Sequence, residues 1–154
     1  MIHLRSDSSQ QTIKLAQKIG QVIPAGTVLA LKGDLGAGKT TFAQGLAQGL
    51  GVREQVTSPT FVFWQQYQGR LPFYHLDAYR LSPGEGEEIG LEECFEDFAV
   101  TLVEWPEQIA ELLPENVIRI EIKHGYDEKR QWRDFYFLLE PQQAPWLEET
   151  ICTF

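Results

Sequence analysis

The segment GDLGAGKT, at residues 33–40, constrains the fold of this chain more than any other feature. It fits the pattern G-x-x-x-x-G-K-[ST] of a phosphate-binding loop. The apolar run TVLALK directly precedes it and is typical of a strand buried on both faces. The run KTTFAQGLAQGL follows and predicts a helix with one apolar face. Strand, glycine loop and helix in this order predict an α/β protein with a nucleotide site.

The residue types inside the loop assign its contacts with phosphate. Glycines allow successive backbone N–H groups to point at phosphate oxygens, and the helix N-terminus adds partial positive charge. Lys39 is expected to reach the β- and γ-phosphates, Thr40 to be a Mg²⁺ ligand, and Thr41 to lie near the α-phosphate. The predicted cofactor-binding residues are Gly33, Asp34, Leu35, Gly36, Ala37, Gly38, Lys39, Thr40 and Thr41.

A phosphate-binding loop occurs in several classes of nucleotide-binding protein, and the rest of the sequence reduces the number of classes that fit this chain. The N-K-x-D and D-x-x-G motifs of a GTPase do not occur. A small-molecule kinase would need an arginine-rich lid, whereas residues 85–97 hold seven carboxylates and no basic residue. The alternatives to an ATPase that stay open are such a kinase and an interaction module in which ATP acts as a clamp.

Two acids end apolar runs that read as strands, and both are candidate catalytic residues. Asp77 ends LPFYHLD, and Glu104 ends VTLVE. Ligands of α/β proteins bind outside the carboxyl ends of parallel strands, where a carboxylate can hold a Mg²⁺-bound water or orient the attacking water. Glu104 is therefore also a candidate metal ligand beside Thr40. The other interpretations are a solvated acid for Glu104 and a turn or cap residue for Asp77.

His75 and Arg80 flank Asp77 and are further candidates for the catalytic set. His75 precedes Asp77 by two residues, so both side chains face the same side of a strand. The pair is either a catalytic His–Asp arrangement or a packed histidine that positions Asp77. Arg80 is either an internal arginine finger or an ion-pair partner of the acidic segment 85–97.

The remaining patterns predict elements along the whole chain, which we treat as one domain of residues 1–154. Strands are expected at 2–5, 100–105, 116–123 and 132–139, and an antiparallel hairpin is expected from strands 61–67 and 71–77. Helices are expected at 8–22 and 107–113, with a short one within the acidic segment. The tail, residues 141–154, is weakly patterned.

Charge and composition restrict the partners and the compartment. The chain holds 13 basic and 22 acidic residues, for a net charge of −9, which argues against autonomous nucleic-acid binding. The acidic segment is either a solvated face or a docking surface for a basic partner. Cys94 and Cys152 suit free thiols in a reducing compartment. Without a long apolar run we expect a cytoplasmic protein with no membrane contact.

Four motifs in sequence order, GDLGAGKTT, SPTF, HLDAYRL and LVEWP, resemble the TsaE (YjeE) family over roughly residues 2–139. The resemblance implies a P-loop NTPase-like domain whose mixed central sheet is flanked by helices. It also implies a Mg²⁺-dependent ATPase that is weak alone and works with TsaD and TsaB. Those partners place threonylcarbamoyl on N6 of the adenosine beside the anticodon, in tRNAs reading codons that begin with A. ATP hydrolysis then supports turnover of the complex rather than the transfer.

The resemblance also implies roles for individual residues. Lys39 and Thr40 match the family's phosphate lysine and magnesium hydroxyl, Glu104 its magnesium-associated acid, and Asp77 its catalytic or switch-like aspartate. Residues 57–61, TSPTF, match a segment similar to a nucleotide-sensing loop.

Trp105 matches the tryptophan that follows the family's acid, with a role either in the site or in packing. Independently of the resemblance, residues 8–12 and the stretch after Trp105 are two possible edges of the adenine pocket, with Ser8 and Trp105 as candidate contacts.

Overall fold

The computed structural model describes residues 1–59 and 63–154, in which seven strands and four α-helices are arranged as one mixed α/β fold. The strands are β1 (Ile2–Ser6), β2 (Val28–Lys32), β3 (Trp64–Gln68), β4 (Pro72–Asp77), β5 (Val100–Glu104), β6 (Ile118–Tyr126) and β7 (Gln131–Leu138). The α-helices are α1 (Ser9–Val22), α2 (Lys39–Gly49), α3 (Glu85–Glu88) and α4 (Pro145–Cys152). The 3-10 helices are Leu91–Cys94 and Pro106–Leu112.

The strands form one sheet in the order β1-β7-β6-β2-β5-β4-β3. Its centre is parallel, because β2 runs parallel to both β5 and β6, and β4 runs parallel to β5. The apolar runs of β2 and β5 are buried along their length, as expected for strands covered on both faces. The carboxyl ends of β2, β4 and β5 therefore meet at one edge, directly beside the phosphate-binding loop.

Antiparallel strands complete both sides of the sheet. β3 and β4 form the predicted hairpin, and β7 pairs with β6 and with β1. The first strand of the hairpin was expected at 61–67; residues 61 and 62 lie outside the described part, and β3 extends from Trp64 to Gln68. The structure thus confirms the predicted mixed sheet with flanking helices.

The main core lies between the sheet and the helices α1, α2 and α4. Leu15, Ile19, Phe42, Leu46 and Phe135 are among its fully buried side chains. A Cβ on Gly49 of α2 would lie 2.2 Å from the Gln17 carbonyl oxygen of α1. The two helices thus pack in backbone contact, and their close approach fixes α2 and the loop before it against the sheet.

Several segments differ from the sequence prediction; the strand expected at 116–123, for example, runs from Ile118 to Tyr126. The helix expected at 107–113 is 3-10 instead, and Ile109 leaves helical geometry at φ −130° and ψ 31°. The strand expected at 100–105 stops at Glu104, because Trp105 has a left-handed backbone with φ 58°. The weakly patterned tail contains α4, which buries Leu147 and Ile151, spaced one helical turn apart, in the main core. No helix in the described part is long and apolar enough to cross a membrane.

Candidate functional site

The phosphate-binding loop connects the buried strand β2 to helix α2. Gly36 and Gly38 have φ of 77° and 106°, a region that side chains rarely adopt, so glycine permits the sharp curvature here. Gly38 is the N-cap of α2 and makes no side-chain capping bond to its first turn. Gly38 has no side chain, so it offers no acceptor of its own to the first N–H groups of α2. A helix end of this kind attracts anions.

A cavity of about 320 Å³ opens over the loop, and we call it the main cavity of the candidate site. Its lining residues are Leu35, Gly36, Gly38, Lys39, Thr40, Thr41, Ser58, Asp77, Glu104, Trp105 and Arg133. Six of the nine predicted loop residues thus line it, whereas Gly33, Asp34 and Ala37 do not. A Cβ on Gly33 would lie 3.0 Å from the Ile122 carbonyl oxygen, so close packing already accounts for that glycine.

Lys39 is held at the floor of this cavity in a desolvated position. Its ammonium donates to the backbone carbonyls of Gly33 and Asp34, the latter at 3.1 Å, and lies 4.0 Å from the centre of the Trp105 ring. Burial lowers the pKa of Lys39, and the carboxylates of Glu104 and Asp77 act in the opposite direction. Within residues 1–59 and 63–154, the direct partners of this buried ammonium are neutral, and such a cation is a strong attractor for phosphate.

Thr40 contacts the segment predicted to sense nucleotide. Its Oγ1 lies 2.7 Å from Ser58 Oγ, so the hydroxyls are hydrogen-bonded. Thr60 and Phe61 of the same segment lie outside the described residues. This bond links the loop between α2 and β3 to the first residues of α2, where a magnesium ligand was predicted.

The two predicted acids lie side by side at the carboxyl ends of β4 and β5. Asp77 and Glu104 pair in register across these strands, and both line the cavity. Glu104 is buried, while half-buried Asp77 accepts a 3.0 Å hydrogen bond from the Tyr79 N–H. Burial raises the pKa of Asp77, and the nearby Glu104 carboxylate adds to this.

His75 lies with Glu104 rather than in the predicted His–Asp pair. Its Nε2 is 2.5 Å from Glu104 Oε2. Asp77 instead engages the Tyr79 N–H, in the turn that follows β4. Arg80 is exposed in that turn and does not line the cavity, so its two predicted roles stay open.

Trp105 closes the cavity on the side of the acids. Its positive φ is a strained conformation for a tryptophan, and such strain often occurs at functional sites. The conformation places its ring against Lys39 and 4.8 Å from the ring of Tyr79. Trp105 therefore both packs and lines the site.

The sequence interpretation did not find Arg133 of β7. Its Nη2 donates to the Gly36 carbonyl at 3.1 Å, and its side chain lies next to Gly38. It lines the main cavity and a second one of about 200 Å³ that Ser8 also lines. The sequence does contain an indication of this role. Strand alternation places Arg133 on the same face as the core residues Phe135 and Phe137, where a charged side chain is unexpected.

Ser8 has a local structural role as well. It is the N-cap of α1, where its Oγ accepts a 3.1 Å hydrogen bond from the Gln11 N–H. The predicted adenine edge at Ser8 therefore lies beside the main cavity, with Arg133 between the two.

This fold and this loop define a P-loop NTPase-like α/β domain. The family described as "Threonylcarbamoyl adenosine biosynthesis protein TsaE" matches residues 6–132. The chain is 44% identical to the tRNA threonylcarbamoyladenosine biosynthesis protein TsaE of Bacillus subtilis, over 82% of this chain and 80% of that protein. It is 42% identical to the protein of the same name from Treponema pallidum, over 82% of this chain and 94% of that protein.

A solved structure gives the same result at the level of the fold. The crystal structure of YdiB from Bacillus subtilis is similar with a TM-score of 0.78 and 35% identity, over 99% of this chain and 95% of that one. The chain belongs to the TsaE family.

Proposed function

We propose that this chain is a Mg²⁺-dependent ATPase that acts in the formation of threonylcarbamoyladenosine in tRNA. The observation that carries the proposal is the convergence of Lys39, Asp77 and Glu104 on the cavity above one helix N-terminus. A cation, a helix N-terminus and two carboxylates at strand ends are the parts that phosphoryl transfer to water requires. The family's printed description supplies the biosynthetic context.

The residues present fit a magnesium nucleotide. Mg²⁺ is usually held by one or two oxygen side chains together with substrate phosphates, and Thr40 and Glu104 offer such oxygens. Bound there, the ion would neutralise charge on the β- and γ-phosphates. Lys39 binds the same phosphates, Glu104 orients water, and Asp77 completes the acidic side of the cavity.

The adenine ring is best accommodated on the side of Ser8. The second cavity adjoins the main one through Arg133, whereas Trp105 lies over Lys39 at the predicted phosphate end. Arg133 would then lie between base and phosphates, where its guanidinium can pair with phosphate or stack on the base.

ATP hydrolysis at this site serves partner proteins, which we take to be TsaD and TsaB. These partners transfer the threonylcarbamoyl group to tRNA. The tRNA therefore contacts this chain only through the complex, and the complex acts in the cytoplasm. A net charge of −9 and the acidic segment 85–97 favour docking on a basic protein surface over direct binding of RNA. Hydrolysis by the isolated chain is then slow, because the site is completed by the partners.

Addition of the TsaB–TsaD pair is expected to raise steady-state ATP turnover by this chain severalfold. The physical reason is that docked partners order the site and exclude water from it. Phosphate release is measured with and without the pair, and the Lys39→Ala variant provides the background in the same mixtures. Unchanged turnover with a pair known to be functional contradicts the proposal.

A further inference from the structure

We propose that His75 is a positioning residue, which holds the Glu104 carboxylate through a single N–H donated from Nε2. The inference rests on the proposed function, since it assigns how the acid of that site is oriented. Nothing in the sequence motif alone distinguishes this pairing from the expected pairing with Asp77.

The contact between His75 and Glu104 is buried and comes from distant parts of the chain. Nε2 lies 2.5 Å from Oε2, and the two side chains are 0% and 4% exposed. In the sheet, His75 pairs with Leu102, two residues before Glu104, so the ring reaches diagonally from β4 to the end of β5. Hydrogen bonds to an ionised group, shielded from water in this way, are short and strong.

The other ring nitrogen identifies the tautomer. Among the residues that the structure describes, Nδ1 of His75 is buried and has no hydrogen-bond partner. A proton on Nδ1 would leave a buried N–H unsatisfied, which folded proteins avoid. The ring therefore carries its proton on Nε2, where the Glu104 carboxylate accepts it, and Nδ1 stays bare.

In this arrangement the two carboxylate oxygens of Glu104 have different partners. Oε2 is engaged by His75, and Oε1 is the oxygen that remains for a magnesium-bound or attacking water. Asp77 is held separately by the Tyr79 N–H, so the two acids are fixed by different donors. Loss of the His75 donor is thus expected to free the Glu104 carboxylate while the phosphate-binding loop stays intact.

Two substitutions of His75, whose amide side chains differ only in length, test the role of the Nε2 N–H. The amide of His75→Gln extends to about the position of Nε2, whereas the shorter amide of His75→Asn lies near Nδ1. We expect kcat of His75→Asn to fall about 10- to 100-fold, as for other partners that orient metal-site carboxylates. His75→Gln is expected to recover most of this loss. Calorimetry should show that ATP binds both variants as it binds the wild type in the absence of Mg²⁺.

Three outcomes of these measurements overturn the role of the donor. The first is an Asn variant as fast as the wild type, and the second is a Gln variant as slow as the Asn variant. The third is an equal loss of magnesium-free ATP binding and turnover. Thermal unfolding of each variant shows whether it has folded.

A spectrum of the wild-type chain tests the tautomer without any hydrolysis. Two-dimensional ¹H–¹⁵N NMR of the imidazole is expected to show protonated Nε2 and bare Nδ1 for His75, with the signal shifting in Glu104→Gln. Protonated Nδ1, or no response to Glu104→Gln, overturns the inference. A wild type that fails to hydrolyse ATP even with its partners counts against the proposed function instead, and the spectrum still decides the role of His75.

Discussion

Replacement of Lys39 by alanine is expected to weaken ATP binding by about 100-fold or more. The Lys39 ammonium lies under the cavity and would exchange its carbonyl partners for β- and γ-phosphate oxygens. Hydrogen bonds to charged groups contribute about 1.5–3 kcal/mol each. Two such bonds correspond to about two orders of magnitude or more in affinity. Isothermal calorimetry with Mg-ATP measures the effect directly.

Lys32 offers a matched control for this experiment. It is an exposed lysine at the end of β2, one residue before the loop, and does not line the cavity. Lys32→Ala should bind ATP as the wild type does. Thermal unfolding of Lys39→Ala shows whether its fold is intact, and micromolar affinity retained in a folded variant would contradict the assignment of the loop.

Replacement of Glu104 by glutamine is expected to lower kcat by about 100-fold or more and to leave ATP affinity far less affected. The glutamine keeps the shape of the side chain and an oxygen that can accept from His75, but it loses the charge that we propose orients water. A positioned acid–base group contributes about 10²- to 10⁴-fold to rate. Single-turnover hydrolysis and calorimetry separate the two quantities.

The control for the charge is Glu107, an exposed acid in the 3-10 helix after β5 that does not line the cavity. Glu107→Gln should hydrolyse ATP as the wild type does. Equal loss of binding and hydrolysis in Glu104→Gln would show that Glu104 supports the structure of the site rather than its chemistry.

The strands beside the candidate site could be predicted because each is encoded by a short continuous segment of the sequence. Each of β2, β4 and β5 is an apolar run with a clear end, and the residue that follows or closes it is Gly33, Asp77 or Glu104. Parallel strands bring their carboxyl ends to the same edge, so the juxtaposition of loop and acids follows from the strand pattern. The structure places Asp77 and Glu104 in register, as this reasoning requires.

The contacts that tune the site could not be predicted because they join distant parts of the chain. Arg133 reaches Gly36 from a strand 97 residues further on, and Ser58 reaches Thr40 from the next loop. For His75, sequence spacing favoured Asp77 as the partner. The side-chain direction across the β4–β5 pair selects Glu104 instead. Register and rotamer, which spacing along the chain does not contain, decide these three contacts.

Local geometry explains the errors in secondary structure. The run after Trp105 has helical composition, but the break at Ile109 divides it into 3-10 turns. Helix α4 is only eight residues long, so its pattern was too short to recognise, although Leu147 and Ile151 anchor it firmly.

The most direct test of this account is the formation of threonylcarbamoyladenosine with tRNA in large excess over the TsaB–TsaD pair. A preformed threonylcarbamoyl donor is supplied, so that ATP serves this chain alone, and modified adenosine is quantified over time. We predict repeated rounds of modification only when the wild-type chain and ATP are both present. Repeated rounds without the chain, or with a non-hydrolysable ATP analogue, would contradict the claim that its ATP hydrolysis supports turnover.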